Sequence, residues 1–165
     1  WNATSLGDYK GARDWSYNIV NRSIADNNDH PILSLHNKYT FQGKTSTAKV
    51  RLLYINVSGK TAGNVLDVKL IKNPTSKPAL TYGNIDADLS VVEAADLSGA
   101  AASSVSGGTT VFRMNAYGQA TSTIFFKPND YIIDLFPTDE LFVTVAEAGN
   151  GTADASVAIG WEEYY

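Results

Sequence analysis

The sequence predicts an all-β, antiparallel domain, and three observations carry the prediction. Apolar residues recur with a period of two through most of the chain, the spacing of a half-buried strand. Turn signals built from Gly, Asn, Asp and Pro interrupt that alternation at short intervals, as they do in sandwiches and barrels. Helical spacing is thin: Ser90 to Ala102 is dense in Ala but has no apolar stripe at three- and four-residue intervals.

The elements follow in order. Trp15, Tyr17 and Ile19 open the alternation, and the polar turn Asp26-Asn27-Asn28-Asp29 closes it. Leu33, Leu35, Tyr39 and Phe41 form the next set. Val50 to Val57 is largely apolar on both faces, as a central strand of a sandwich can be. Gly59 and Gly63 flank a turn, after which Leu66, Val68 and Leu70 alternate until Asn73-Pro74. Short strands are expected at Leu80–Ile85 and Ser90–Ala94, and Leu97–Gly108 reads as a small-residue loop. Val111–Ala116 and Thr121–Phe126 flank Tyr117-Gly118, which reads as a hairpin turn. Tyr131–Leu135, Leu141–Ala146 and Ala155–Trp161 complete a set of about ten strands. Trp1 to Asp14 lacks regular apolar spacing and reads as an N-terminal arm, leaving 15–165 as one domain.

Composition narrows the function. At 165 residues, 44% hydrophobic and 18% charged, the chain can bury a real core. A net charge of −4 argues against a general nucleic-acid binder, which needs a basic face. No cysteine is present, so disulfides and thiolate chemistry are excluded. No run of about 18 apolar residues exists to form a spanning helix, and no membrane partner is expected. A chain that starts at Trp1 instead of Met reads as processed or as cut from a longer one.

Motifs that carry chemistry are incomplete. Gly43-Lys44-Thr45 and Gly59-Lys60-Thr61 resemble the end of a phosphate-binding loop, but the upstream glycine and following helix are missing, so both read as turns. The only histidines are His30 and His36, too few for a three-ligand zinc site, and both read as solvated or interface residues. Ser34 and His36 share one side of a strand without a nucleophile turn. Asp26 with Asp29, and Asp86 with Asp88, sit in oxygen-rich turns that could hold Ca²⁺ but lack the loop spacing. Asp134, Asp139 and Glu140 could in principle form a carboxylate pair, although flanking charge explains them equally. Four Asn-x-Ser/Thr acceptor matches begin at Asn2, Asn21, Asn56 and Asn150. No catalytic residues, cofactor or metal are therefore assigned.

Aromatics are more informative. Trp15 and Trp161 alternate like core residues, whereas Trp1, Tyr9, Tyr164 and Tyr165 crowd the chain ends. A tyrosine pair beyond the last strand has no obvious place in a monomer core, so these four are the candidate interface residues.

Three regions carry a resemblance. They are His30–Leu35 with Thr47–Val57, then Val68–Thr75, and then Pro137–Val145 closing on Ala155–Glu163. Their phrasing resembles the small jelly-roll virion proteins of tailed bacteriophages, including capsid-decoration and fibre-tip domains, and the similar fold of the tumour necrosis factor group. The resemblance implies an antiparallel jelly-roll β-sandwich of about 8–10 strands. It implies a non-enzymatic structural or attachment protein on a virion surface, a homo-oligomer with a trimer favoured, in contact with other virion proteins and with a host surface glycan as a further partner. The alternative is a carbohydrate-binding β-sandwich module with exposed aromatics stacking on sugar rings.

Overall fold

A computed structural model describes residues 12–24, 26–60, 62–97, 104–127, 131–149 and 152–165. Among them are thirteen strands and no helix: β1 (Ala12–Ile24), β2 (His30–Asn37), β3 (Thr40–Phe41), β4 (Lys44–Thr45), β5 (Lys49–Gly59), β6 (Val65–Lys72), β7 (Gly83–Asn84), β8 (Val92–Asp96), β9 (Thr109–Tyr117), β10 (Thr121–Phe125), β11 (Asp134–Leu135), β12 (Glu140–Glu147) and β13 (Ala153–Tyr164). The first sheet runs β1-β13-β5-β10, with β11 also pairing β5. The second runs β7-β8-β2-β12-β6-β9, and β3 with β4 forms a separate hairpin. All strand pairings are antiparallel.

The period of two in the sequence becomes one shared core. Val50, Leu52, Ile55 and Val57 of β5 and Val157, Ile159 and Trp161 of β13 join a single cluster with Leu33 and Leu35 of β2, Leu66, Val68 and Leu70 of β6, and Leu141, Val143 and Val145 of β12. Each such side chain contributes about 1.5–3 kcal/mol by leaving water. The fold is thus an all-β sandwich of two antiparallel sheets.

The two sheets differ on their outer faces. Nearly every residue of β2 and β12 is buried, because the second sheet is covered on the outside as well. Phe142 packs there with Ile71, Leu80, Leu97 and Val105. The outer face of the first sheet is instead made of cross-strand rows. One row is Ser16, Gly160, Tyr54 and Phe125, and the next is Asn18, Ala158, Asn56 and Thr123. Gly160 is required, since a Cβ there would lie 2.1 Å from the Tyr54 ring.

Several expectations are corrected. Tyr117-Gly118 is not a hairpin turn: β9 pairs β6 in one sheet and β10 pairs β5 in the other. The chain crosses between sheets there, with the Gly118 N–H donating to the Asn64 carbonyl at 2.8 Å and Gln119 N–H to Gly59 at 2.8 Å. Gly59 and Gly118 permit the crossing, because a Cβ on Gly59 would lie 3.1 Å from the Gly118 Cα. Leu80–Ile85 is a strand only at Gly83–Asn84, because Leu80 packs on the Phe142 cluster and Tyr82 hydrogen-bonds Ser34 across the sheet surface. Tyr131–Leu135 is paired only at Asp134–Leu135. β5 is not apolar on both faces: Arg51, Tyr54, Asn56 and Ser58 alternate outward from the buried residues. The arm is shorter than Trp1–Asp14, since β1 begins at Ala12 and pairs Arg13 with Glu163 and Asp14 with Glu162. Residues 1–11 lie outside the described residues.

Leu52 is fully buried at the centre of the core, whereas Lys44 is exposed in the β3–β4 hairpin. Leu52→Ala is expected to cost about 2–5 kcal/mol through lost burial and a cavity. Lys44→Ala is expected to leave the unfolding midpoint unchanged. Chemical denaturation of both variants checks this, and equal midpoints would contradict the assigned core.

Candidate functional site

The residues expected at an interface separate. Trp1 and Tyr9 lie outside the described residues. Tyr164 is the last residue of β13, not beyond it, and pairs with both Ala12 and Lys49. Its ring covers the Lys49 ammonium at 5.2 Å and the Arg51 guanidinium at 5.5 Å, and its hydroxyl donates to Glu162. That hydrogen bond, followed by burial, raises the phenol above its ordinary range. Tyr164 thus has partners within its own chain.

Tyr165 faces the other way, as successive strand residues must. Its hydroxyl lies 2.6 Å from the Leu89 carbonyl and 2.6 Å from Glu163 Oε2, so its one proton is shared between two acceptors. Burial and then the Glu163 contact push this phenol up. Glu163 is fully buried and has no ion-pair partner among the described residues. It accepts instead from Ser90 Oγ at 2.6 Å, Val91 N–H at 2.9 Å and Trp161 Nε1–H at 3.0 Å. Burial of a carboxyl is tolerated only with such complete pairing.

Tyr165 also floors a cleft of about 570 Å³. One wall is the β3–β4 hairpin, a two-residue turn at Gln42 (φ 51°) and Gly43 (φ 74°), both left-handed as a type I′ turn requires. The opposite wall is the Asp86–Leu89 turn, held by Asp86 Oδ1 accepting from the Asp88 and Leu89 N–H groups, each at 2.9 Å. The Gln42 side chain ties the walls together by donating to the Asp88 carbonyl at 2.7 Å. Phe41 stands 6.0 Å from the Tyr165 ring, and Arg13 lies 6.0 Å over it. Gly43-Lys44-Thr45 thus belongs to a hairpin turn, as its context suggested, and Lys44 and Thr45 line the cleft.

The other polar groups singled out in the sequence fall into two regions. His36 Nδ1 lies 2.7 Å from Glu93, and its ring is 5.3 Å from Tyr82. Tyr82 donates to Glu140 at 3.2 Å, and its oxygen is 2.8 Å from Ser34 Oγ. Lys77 completes this group by pairing with Glu140. His30 is buried and lies 2.7 Å from Asp26 Oδ1, while Asp29 pairs with Lys69 at 2.8 Å. His30 is not solvated, contrary to expectation, being packed against Asp26, whereas His36 is partly exposed beside Glu93. On the first sheet, Arg51 grips Asp134 with two bonds of 2.8 and 3.0 Å. Asp139 pairs with Lys72 at 2.7 Å. Asp134, Asp139 and Glu140 therefore each serve a cation. Among the described residues, no three His, Asp or Glu side chains gather as a metal site would require.

Residues the sequence reading passed over form an aromatic margin. Phe125 is 66% exposed, Phe136 55% and Ile132 49%. They accompany a packed set in which Phe112 meets Phe126 edge-on at 5.1 Å and Tyr131 at 5.7 Å. The signal was present in Ile124-Phe125-Phe126, because three consecutive apolar residues cannot all face one core.

Two predictions follow from these contacts. Glu163→Ala removes the acceptor shared by Ser90, Val91, Trp161 and Tyr165 and is expected to cost about 3–5 kcal/mol, measured by thermal unfolding. For Asp134, burial alone would raise the carboxyl, but the hydrogen bonds and charge of Arg51, with Lys49, outweigh it and hold it below the ordinary 3.8. A depressed carboxyl stabilises the fold above its unfolded value and loses that contribution as pH falls through its folded value. The stability gap between the native chain and Asp134→Asn is therefore expected to be widest near neutrality and to close below about pH 4. A gap independent of pH would show that the Arg51 pairing carries no stability.

No protein-family model and no curated protein matches this chain.

Proposed function

We propose that this chain is a non-enzymatic structural or attachment protein of a virion surface, acting through assembly with further copies of itself. The observation that carries the reading is the aromatic margin at β10 and residues 131–136. β10 is an edge strand whose sequence, Thr121 to Phe125, contains no charge and no proline. Such an edge invites pairing unless something covers it, and an exposed apolar margin marks an interface. A second copy of the chain is the occupant that fits, because repeated copies close on a symmetry axis, and the resemblance implies a threefold.

Strand order supports the jelly-roll part of the proposal. Numbering β1, β2, β5, β6, β9, β10, β12 and β13 as 1 to 8, and setting aside β7 and β8 at the edge of the second sheet, the sheets run 1-8-3-6 and 2-7-4-5. That interleaving is the order produced when a long hairpin ribbon is rolled into two sheets. The polar clusters also favour a non-enzymatic role, since their ion pairs join neighbouring strands instead of lining the cleft.

Sedimentation velocity over a range of concentrations tests the proposal. The native chain is expected to sediment as an oligomer. Phe125→Asp combined with Ile132→Asp is expected to sediment as a monomer with an unchanged β-sheet spectrum. Removing residues 1–11, which leaves β1 whole, reports separately on the arm. A native chain that remains monomeric at every concentration overturns the proposal.

A further inference from the structure

We infer that the cleft beneath the β3–β4 hairpin is a saccharide-binding site, with Tyr165 as its stacking platform. This goes beyond assembly and does not depend on it. The cleft of about 570 Å³ lies in the size range of small-molecule sites, about 300–1,000 Å³. Its lining mixes the aromatic residues Phe41 and Tyr165 with the hydroxyl-bearing residues Thr45, Ser46 and Thr47. Sugars present that same mixture, with apolar C–H faces on a ring rimmed by hydroxyls.

The site is also built in advance. Tyr165 is 37% exposed, yet its hydroxyl is anchored to Leu89 and to the buried Glu163. Its ring therefore need not be immobilised on binding. The two walls are already joined through Gln42 and the Asp88 carbonyl. Preorganisation of this kind reduces the entropy lost when a weak ligand docks.

Charge identifies the ligand class. Lys44 and Asp88 both line the cleft, and neither has an ion-pair partner among the described residues. A free carboxylate accepts two hydroxyl protons and a free ammonium donates to hydroxyl oxygens, so together they read a polyhydroxylated ring. A phosphate ligand would gain from Arg13 and Lys44 but would be opposed by Asp88. An apolar peptide would leave the Ser and Thr hydroxyls and both charges without partners.

The test uses the full chain and an array of neutral and acidic oligosaccharides, followed by saturation-transfer NMR of the sugars that bind, with inorganic phosphate as competitor. Saccharide binding at millimolar concentration is expected, with signal transfer to the ring C–H protons. Asp88→Ala is expected to weaken it by about tenfold, the loss of one to two hydrogen bonds. Tyr165→Ala abolishes binding, whereas Tyr165→Phe, which keeps the ring but loses its anchor, binds more weakly than the native chain and more tightly than Tyr165→Ala. Tyr117→Ala, an exposed aromatic outside the cleft, leaves binding unchanged. Sedimentation of the same variants separates this inference from assembly, because the cleft substitutions are expected to leave the oligomer intact. No binding anywhere on the array, full binding by Asp88→Ala, or displacement by phosphate would each overturn the inference.

Discussion

The buried carboxyl of Glu163 is the constraint on which one end of the sandwich depends. Trp161, Glu163 and Tyr165 share one face of the last strand and its exit, so the alternation that buries an indole also sends an acid inward. An unpaired carboxyl there would cost several kcal/mol. Ser90, Val91 and Trp161 offset that cost, and in doing so they tie β13 of the first sheet to the segment that enters β8 of the second. Asn37 performs the complementary task. Its Nδ2 donates to the Ala48 and Leu135 carbonyls, and its own N–H donates to the Asp139 carbonyl. Its carbonyl accepts from the Thr138 N–H at 2.8 Å, while its side-chain Oδ1 is buried without a partner.

With that end closed, the asymmetry of the two sheets becomes the organising feature. The outer face of the second sheet is partly covered, since Leu80, Leu97 and Val105 pack over Phe142 and Ile71. The first sheet has only one dry face, and apart from Tyr54 and Phe125 the residues of its outer rows are small or polar. Their flatness is set by Gly160, over which Tyr54 lies. Apolar surface that the fold leaves uncovered is concentrated instead at β10 and the 131–136 segment.

Much of this was legible from spacing. A period of two located β1, β2, β5, β6, β9, β10, β12 and β13, because burial on one face forces that alternation whatever the partner strand is. The choice of partner was not legible. Tyr117-Gly118 carries the same local signal whether the chain turns back or crosses to the other sheet. What decides is the approach of Gly59, which is remote in sequence. Leu80 and Tyr82 failed as a strand for a similar reason: their alternation serves an apolar cluster and a hydroxyl pair on the sheet's outside. Tyr165 was noticed for its position, but its partners come from Leu89 and Glu163. The cleft itself draws on residues 13, 41–42, 44–48, 88–89 and 165. No single stretch of sequence contains it, so no local motif could have announced it.

The two proposed surfaces occupy different borders of the first sheet. β1, which supplies Arg13 to the cleft, is one edge strand, and β10 is the other. Assembly through β10 would therefore leave each cleft open. Geometry of this kind changes what weak binding can accomplish. A single millimolar site corresponds to only about 4 kcal/mol, too little to hold a particle to a surface. Three linked copies engaging one surface raise avidity by roughly 10²–10⁴ without any new contact, provided the sites face the same way. Self-association and a shallow, preorganised sugar site would then be complementary, the first supplying the affinity that the second lacks.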